Sequence, residues 1–243
     1  MQSGIAISGN DDRWFLINAS PDLPRQIEST SNLLPRPLPL RNTPIAGVFL
    51  TNADLDHTLG LVLMRQQQTP LVVYASDEIQ AALHWIGLVL QPFGGIEWRT
   101  ASREFNSLGP GIAFRAIELG KSVAFQFRDK TSGAGALIAP AVGQVTDELR
   151  DAIHDADVVL FDGTFWNNDE LRAVRPNART AREMNHLPIS EGSLDLLRQA
   201  PARRKVYTHI NNTNPILSPG SPERSTVEQA GVEIARDGLE IIL

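Results

Sequence analysis

Apolar residues run unbroken from Ile45 to Leu50, which predicts a central strand buried on both faces. After Leu50 the run stops and Asn52, Asp54, Asp56 and His57 follow. Leu59, Leu61, Val62 and Leu63 then resume at the spacing of a helix packed back on a sheet. Two later stretches repeat this arrangement: Val158–Phe161 is a strand ending in Asp162, and Val206–Ile210 is a strand delivering His209 into a run of asparagines.

The remaining elements follow from pattern and punctuation. Ile5–Ser8 and Trp14–Asn18, joined by Gly9, Asn10, Asp11 and Asp12, predict a hairpin. Ser20 and Pro21 predict the start of a short helix through Ile27, and the prolines of Leu33–Pro44 predict a loop. Leu71–Ala75 reads as a strand, and Ser76 as the cap of a helix to about Leu90, with Asp77 and Glu78 in its first turn. Between Ile96 and Ala139 the runs IEWRT, GIAFRAIEL, VAFQF and ALIAP predict an antiparallel second sheet. Helices are expected at DELRDAIHDA after Thr146, at Asp169–Val174, at Ser190–Gln199 and at Pro222–Gln229. Gly231 stops the last of these, and Asp237-Gly238 turns a terminal hairpin. The order predicts an α/β fold, a four-layer αββα sandwich, with residues 1–243 as one domain.

Composition narrows the chemistry. With 42% hydrophobic residues a core is well supplied, and 22 Lys+Arg against 28 Asp+Glu give a formal charge of -6, so no general nucleic-acid partner is expected. Cysteine is absent, which excludes thiolate chemistry and leaves His, Asp, Glu or Asn for any metal. No stretch approaches the ~20 apolar residues of a membrane span, and no leader pattern opens the chain, so a cytoplasmic protein without a membrane partner is expected.

Ligands in open α/β sheets bind outside the carboxyl ends of strands. If the three strands share a sheet, Asp56, His57, Asp162 and His209 surround one point and offer carboxylate and imidazole ligands to a transition metal. Each residue also has an ordinary explanation: a helix start for Asp56 and His57, a turn cap for Asp162, a buried histidine satisfied by backbone for His209. Asn211 and Asn212 are the candidate cofactor-binding amides, supporting the ligands, although turn formation would equally account for them. His84 and His154 read as structural or solvated.

The motifs INASPDL (17–23), TNADLDH (51–57), FDGTFW (161–166), NHLPIS (185–190) and THINNTNPIL (208–217) give the sequence a resemblance to the metallo-β-lactamase superfamily. Within it they resemble the family of pyrroloquinoline quinone biosynthesis protein B, over essentially the whole chain. The superfamily pattern HxHxDH here reads Asn52, Asp54, Asp56, His57, with the first two histidines replaced, which argues against a two-zinc hydrolase and for a one-metal site. The resemblance implies the metallo-β-lactamase fold, Fe(II) or Zn as metal, and iron-dependent hydroxylation of a tyrosine-derived precursor of the quinone. It implies metal roles for Asp56, His57, Asp162 and His209, a substrate or acid/base role for His186, and a base or ligand-orienting role for Asp54. A carrier that binds the cofactor or its precursor without turnover is the second expectation, and a metal hydrolase the third. Family members open with an extra strand and a cysteine-bearing segment, and MQSGIAIS begins just after it. A sheet edge at Ile5–Ser8 and a homodimer or local instability there are expected.

Overall fold

The computed structural model describes residues 2–9, 12–38, 42–64 and 69–243. Asn10 and Asp11 of the expected hairpin turn, and residues 39–41 of the expected loop, lie outside these. The chain forms two compact units, Met1–Ala113 and Phe114–Leu243.

The first unit holds a five-stranded sheet: β1 (Ile5–Ser8), β2 (Trp14–Ile17), β3 (Ile45–Phe49), β4 (Leu71–Ala75) and β5 (Ile96–Thr100), paired in that order. β1 is an edge strand antiparallel to β2, and β2 to β5 run parallel. IEWRT therefore closes the first sheet as β5 instead of opening the second. Its alternation of half-buried and exposed residues suits an edge, and the helices before it supply the crossover that a parallel strand requires. β3 is central and nearly solvent-free, and its Phe49 stacks on Tyr74 with ring centroids 4.4 Å apart.

The first helix, α1 (Leu23–Glu28), begins two residues later than a Ser20 cap predicts. The cause is tertiary. Asn18 takes a left-handed φ of 64°, the Ala19 N–H donates to the His57 carbonyl at 2.7 Å, and the Gly60 N–H donates to the Ala19 carbonyl at 2.8 Å. Those bonds hold Ala19 and Ser20 against α2 (Leu55–Thr58) and the 3₁₀ turn Leu59–Met64. Only glycine fits at position 60: a Cβ there would overlap the Ser20 carbonyl oxygen and lie 2.8 Å from that of Ala19. Gly60→Ala is expected to destabilise the protein by about 3 kcal/mol, since the obstruction is backbone and cannot rotate away. A urea midpoint unchanged from the parent would contradict this.

Ser76 caps α3 (Asp77–Ala82) by accepting the Ile79 N–H, and Leu83 separates it from α4 (His84–Leu90), so the single expected helix is two. A two-residue strand, β6 (Asn106–Ser107), follows.

The second unit carries β7 (Ile112–Glu118), β8 (Val123–Asp129), β9 (Gly135–Ala139), α5 (Asp147–Asp155), β10 (Val158–Asp162), α6 (Glu170–Val174), α7 (Ser193–Gln199), β11 (Arg204–Thr208), α8 (Pro222–Gln229) and β12 (Glu233–Ile234). The strands lie in the order β12, β11, β10, β9, β8, β7. β8 and β9 are antiparallel as expected, whereas β9 to β12 run parallel. The core joins Phe161, Tyr207, Leu137 and Val159 to Leu149, Ile153 and Leu197 of the covering helices. Gly192, at φ 140°, breaks the expected 190–199 helix and delays α7 to Ser193. Asp237 and Gly238 turn the chain, but no strand follows them among the described residues, so the terminal hairpin is not formed. No helix of the described residues is long and apolar enough to cross a membrane.

Candidate metal centre

In the first unit β3 stops at Phe49 and the chain passes through Thr51 and Asn52 into α2. Asn18 fixes this passage, accepting both the backbone N–H and the hydroxyl of Thr51, at 3.0 and 3.1 Å. His57 is 1% exposed, and its Nδ1 lies 2.6 Å from Asn52 Oδ1. The Asn52 amide nitrogen donates to Asp54 Oδ2 at 2.7 Å. An ionised carboxylate only accepts, so the carbonyl end of Asn52 must face the ring and Nδ1 must be the donor. The second nitrogen of His57, Nε2, then carries the lone pair, which is the form a metal binds. Asp56 Oδ2 lies 4.0 Å from that Nε2, inside the span of two ligand bonds of about 2.1 Å.

Asp54 and Asn52, which stand where the superfamily pattern has histidines, thus form a relay that orients His57. Removing the relay with Asn52→Leu should weaken zinc binding by about 10- to 100-fold, the usual effect of losing a partner behind a ligating histidine. Titration calorimetry checks it, and an unchanged affinity would deny the relay its role.

In the second unit the parallel register sets Asp162 of β10 opposite Thr208 of β11, so Gly163, Thr164 and His209 leave the sheet side by side. Gly163 is required there, because a Cβ would come within 2.9 Å of Tyr207 Cβ and 3.0 Å of the Thr208 oxygen. The strand expected through Ile210 ends at Thr208, and His209 adopts a left-handed φ of 54°. That turn, uncommon for a non-glycine residue, takes the imidazole out of the strand's alternation.

Asp162 is fully buried and accepts four hydrogen bonds. Oδ2 takes the Val142 N–H at 2.9 Å and His186 Nδ1 at 2.8 Å, while Oδ1 takes the Thr164 N–H at 3.0 Å and its hydroxyl at 2.6 Å. Burial pushes its carboxyl up, but attraction to the His186 and His209 rings when they are protonated, with the bonds from His186 and Thr164, outweighs burial and holds it below the usual range. Asp162 thus gives His186 an Nδ1–H donor and leaves the lone pair on Nε2. The His186 and His209 rings are stacked, with centroids 5.4 Å apart, and one ligand-type atom from each of Asp162, His186 and His209 lies within 4.8 Å of the other two.

The asparagine run divides. Asn211 donates through its side chain to Thr213 at 2.6 Å, whose hydroxyl donates to Glu170 at 2.6 Å; Asn212 is exposed. Burial pushes the Glu170 carboxyl up, partly offset by bonds from Thr213 and the backbone of Trp166. Asn214, which the sequence reading passed over, is buried and holds the Gly163 and Thr164 carbonyls at 2.9 and 3.3 Å while accepting the Ile216 N–H. Its signal was the asparagine before Pro215, where a side chain can close the turn. His84 is exposed, and so is His154, whose Nδ1 lies 4.0 Å from Asp155.

The donors of each unit are of types that fit a metal. In the first unit the His57 imidazole with Asp56 beside it, and in the second the group of Asp162, His186 and His209, offer the nitrogen and oxygen ligands that zinc or iron accepts.

Comparison with known proteins gives the fold and the family. Residues 13–210 match the family described as Beta-lactamase superfamily domain. The chain is 35% identical to Coenzyme PQQ synthesis protein B of Cupriavidus necator and 36% identical to that of Bradyrhizobium diazoefficiens, covering all of this chain and 87% and 88% of theirs. Among solved structures, zinc-bound PqqB from Methylobacterium extorquens superposes with a TM-score of 0.91 at 32% identity, over all of this chain and 88% of that one. A diphosphatase of the PhnP family, 17% identical with a TM-score of 0.71 over all of this chain and 84% of its own, shares the fold. The two sheets with their helices are therefore a metallo-β-lactamase fold, and the chain belongs to the coenzyme PQQ synthesis protein B family.

Proposed function

We propose that the chain serves pyrroloquinoline quinone biosynthesis as a mononuclear non-haem Fe(II) oxygenase that hydroxylates a tyrosine-derived precursor. The observation that supports it most is His57, committed at Nδ1, with Asp56 Oδ2 4.0 Å from its Nε2; His209 is the second imidazole of the proposal. Two histidines and a carboxylate with open positions is the ligand set of such oxygenases. The relatives' name supports the pathway.

In this proposal Asp56, His57 and His209 hold the ion, and that they supply ligands to one ion is part of what is proposed. Asp162, expected as a ligand, already accepts two hydrogen bonds on each oxygen, so Asp56 is favoured as the carboxylate ligand and Asp162 as the group behind His186 and Thr164. Zinc is the alternative metal, supported by the zinc-bound relative. Bound iron would supply the activation of dioxygen. His186 takes up a substrate proton at Nε2, because the buried Asp162 carboxylate on Nδ1 stabilises the imidazolium that results. Asp54 acts through Asn52 on His57.

The test is Fe(II)-loaded protein with a tyrosine-derived precursor, a reductant and isotopically labelled dioxygen. A product heavier by one or more labelled oxygen atoms is expected. Tight precursor binding without incorporation, with iron loading confirmed, would sink the oxygenase and favour a carrier. Zinc-loaded protein that hydrolyses a test ester or phosphodiester faster than the iron form would favour a hydrolase.

A further inference from the structure

The Thr164 hydroxyl, 7% exposed as part of its residue, sits among three polar neighbours: Asp162 Oδ1 at 2.6 Å, His209 Nδ1 at 2.7 Å and the His209 carbonyl oxygen at 2.9 Å. A hydroxyl has one proton to give. Two of the three neighbours, a carboxylate and a carbonyl, can only accept, so the proton belongs to one of them and a lone pair of the oxygen faces the ring. The imidazole nitrogen must then be the donor. We infer that Thr164 is a positioning residue that fixes His209 in the tautomer protonated at Nδ1, leaving the lone pair on Nε2.

The consequence is not trivial, because a neutral imidazole in water prefers its proton on Nε2, so an unassisted His209 would offer the opposite nitrogen. The arrangement is held from behind. Asn214 pins the Gly163 and Thr164 carbonyls, and the Thr164 N–H is bonded to the same Asp162 oxygen as the hydroxyl, so the side chain has little freedom to turn its proton toward the ring. Threonine does for His209 what Asn52 does for His57: a small polar group backed by an aspartate converts that acid into a fixed acceptor for Nδ1–H. Its bearing on metal binding rests on the reading above, but the tautomer does not.

The experiment compares Thr164→Val, which keeps the shape and removes the hydroxyl, with Thr164→Ser, which keeps the hydroxyl, after circular dichroism shows both folded; Thr164→Ala replaces the valine variant if that one fails to fold. Two-bond nitrogen–proton correlation spectra of metal-free protein, at a pH where the ring is neutral, read the His209 tautomer directly. The parent and the serine variant are expected to show the Nδ1–H form, and the valine or alanine variant a majority of the Nε2–H form. Zinc affinity, by competition with a chromophoric chelator, should fall about 10- to 100-fold in the valine variant and recover in the serine one. An Nδ1–H tautomer that survives in the valine or alanine variant would overturn the inference, as would a serine variant that loses it. A tautomer that shifts as expected with zinc affinity unchanged would support the assignment to Thr164 and instead count against His209 as a ligand.

Discussion

His209→Ala and His209→Asn are expected to abolish stoichiometric metal binding while leaving the far-UV circular dichroism close to that of the parent. A full set of ligands on structural zinc is worth about 10–16 kcal/mol in small domains, so one imidazole out of such a set accounts for roughly 3 kcal/mol, on the order of a hundredfold in affinity. Against that, the cost to the fold is modest. Deleting the ring leaves the Thr164 hydroxyl an acceptor for its one proton in Asp162 or the His209 backbone carbonyl, so no buried donor is orphaned. The backbone is the second concern, because position 209 sits at φ 54°; asparagine tolerates that region better than alanine, and the two variants together separate loss of ligand from loss of turn. Metal content measured on the folded fraction decides the matter. A variant that unfolds while its residual folded fraction retains metal would make His209 a buried histidine that supports the loop and nothing more.

The candidate site is legible in the sequence as polar residues at the ends of buried strands, although β3 lies in a different sheet from β10 and β11, so the single sheet expected to gather them is not formed. Ile45–Leu50 and Val158–Phe161 announce buried strands by their unbroken apolar character, and the first polar residues beyond them, Asn52 to His57 and Asp162, are the ones whose contacts matter. What escaped depended on long-range bonds that leave no local periodicity. IEWRT joins the first sheet and not the second, which the sequence does not show because an isolated strand of mixed polarity looks the same whichever sheet it joins, and only its register with β4 settles it. The helix predicted from Ser20 starts late because Ala19 is bonded to residues 57 and 60, forty positions away. Partnership was equally hidden. Asn52 was legible as a departure from a histidine pattern, yet its role follows from which end of its amide meets Asp54. Nothing local marks Thr164 in the sequence, although its hydroxyl joins Asp162 and His209. Asn211 and Asn212 are the amides the sequence singles out, whereas burial shows Asn214 as the residue that ties the loop down.

Both units solve one problem in the same way. An imidazole that is to bind a metal through Nε2 must be held by Nδ1, and a backbone carbonyl or a water could do this. Here the first atom behind each ring is a side-chain oxygen, Asn52 Oδ1 for His57, Thr164 Oγ1 for His209 and Asp162 Oδ2 for His186, with an aspartate in every chain. A carboxylate behind the histidine raises the basicity of the ligating nitrogen as well as fixing its direction. Under the proposal above, imidazoles held in this way favour a divalent ion that tolerates strongly donating nitrogen ligands, and no cysteine is involved, since the chain has none.

Under the proposed oxygenase reading, incorporation of labelled oxygen into the precursor should disappear in His57→Ala together with bound iron, and the loss should exceed that of Asn52→Leu. The leucine variant still has an imidazole that visits the right orientation part of the time, whereas the alanine variant has none. His57 is 1% exposed, so its removal also leaves Asn52 Oδ1 with only the 3.2 Å contact from the Asp54 N–H, at a cost to stability of about 1–3 kcal/mol for the lost partner. That is within what a domain of ordinary stability survives, and a thermal melt lowered by a few degrees with native circular dichroism is the expected companion result. The ordering of the two variants carries the argument. If Asn52→Leu loses as much iron as His57→Ala, the relay is as indispensable as the ring. If His57→Ala keeps parent levels of iron and product while Asn52→Leu does too, the strand-end cluster of the first unit is a helix start whose aspartates and histidine have no part in the chemistry, and the ligands must be sought elsewhere in the chain.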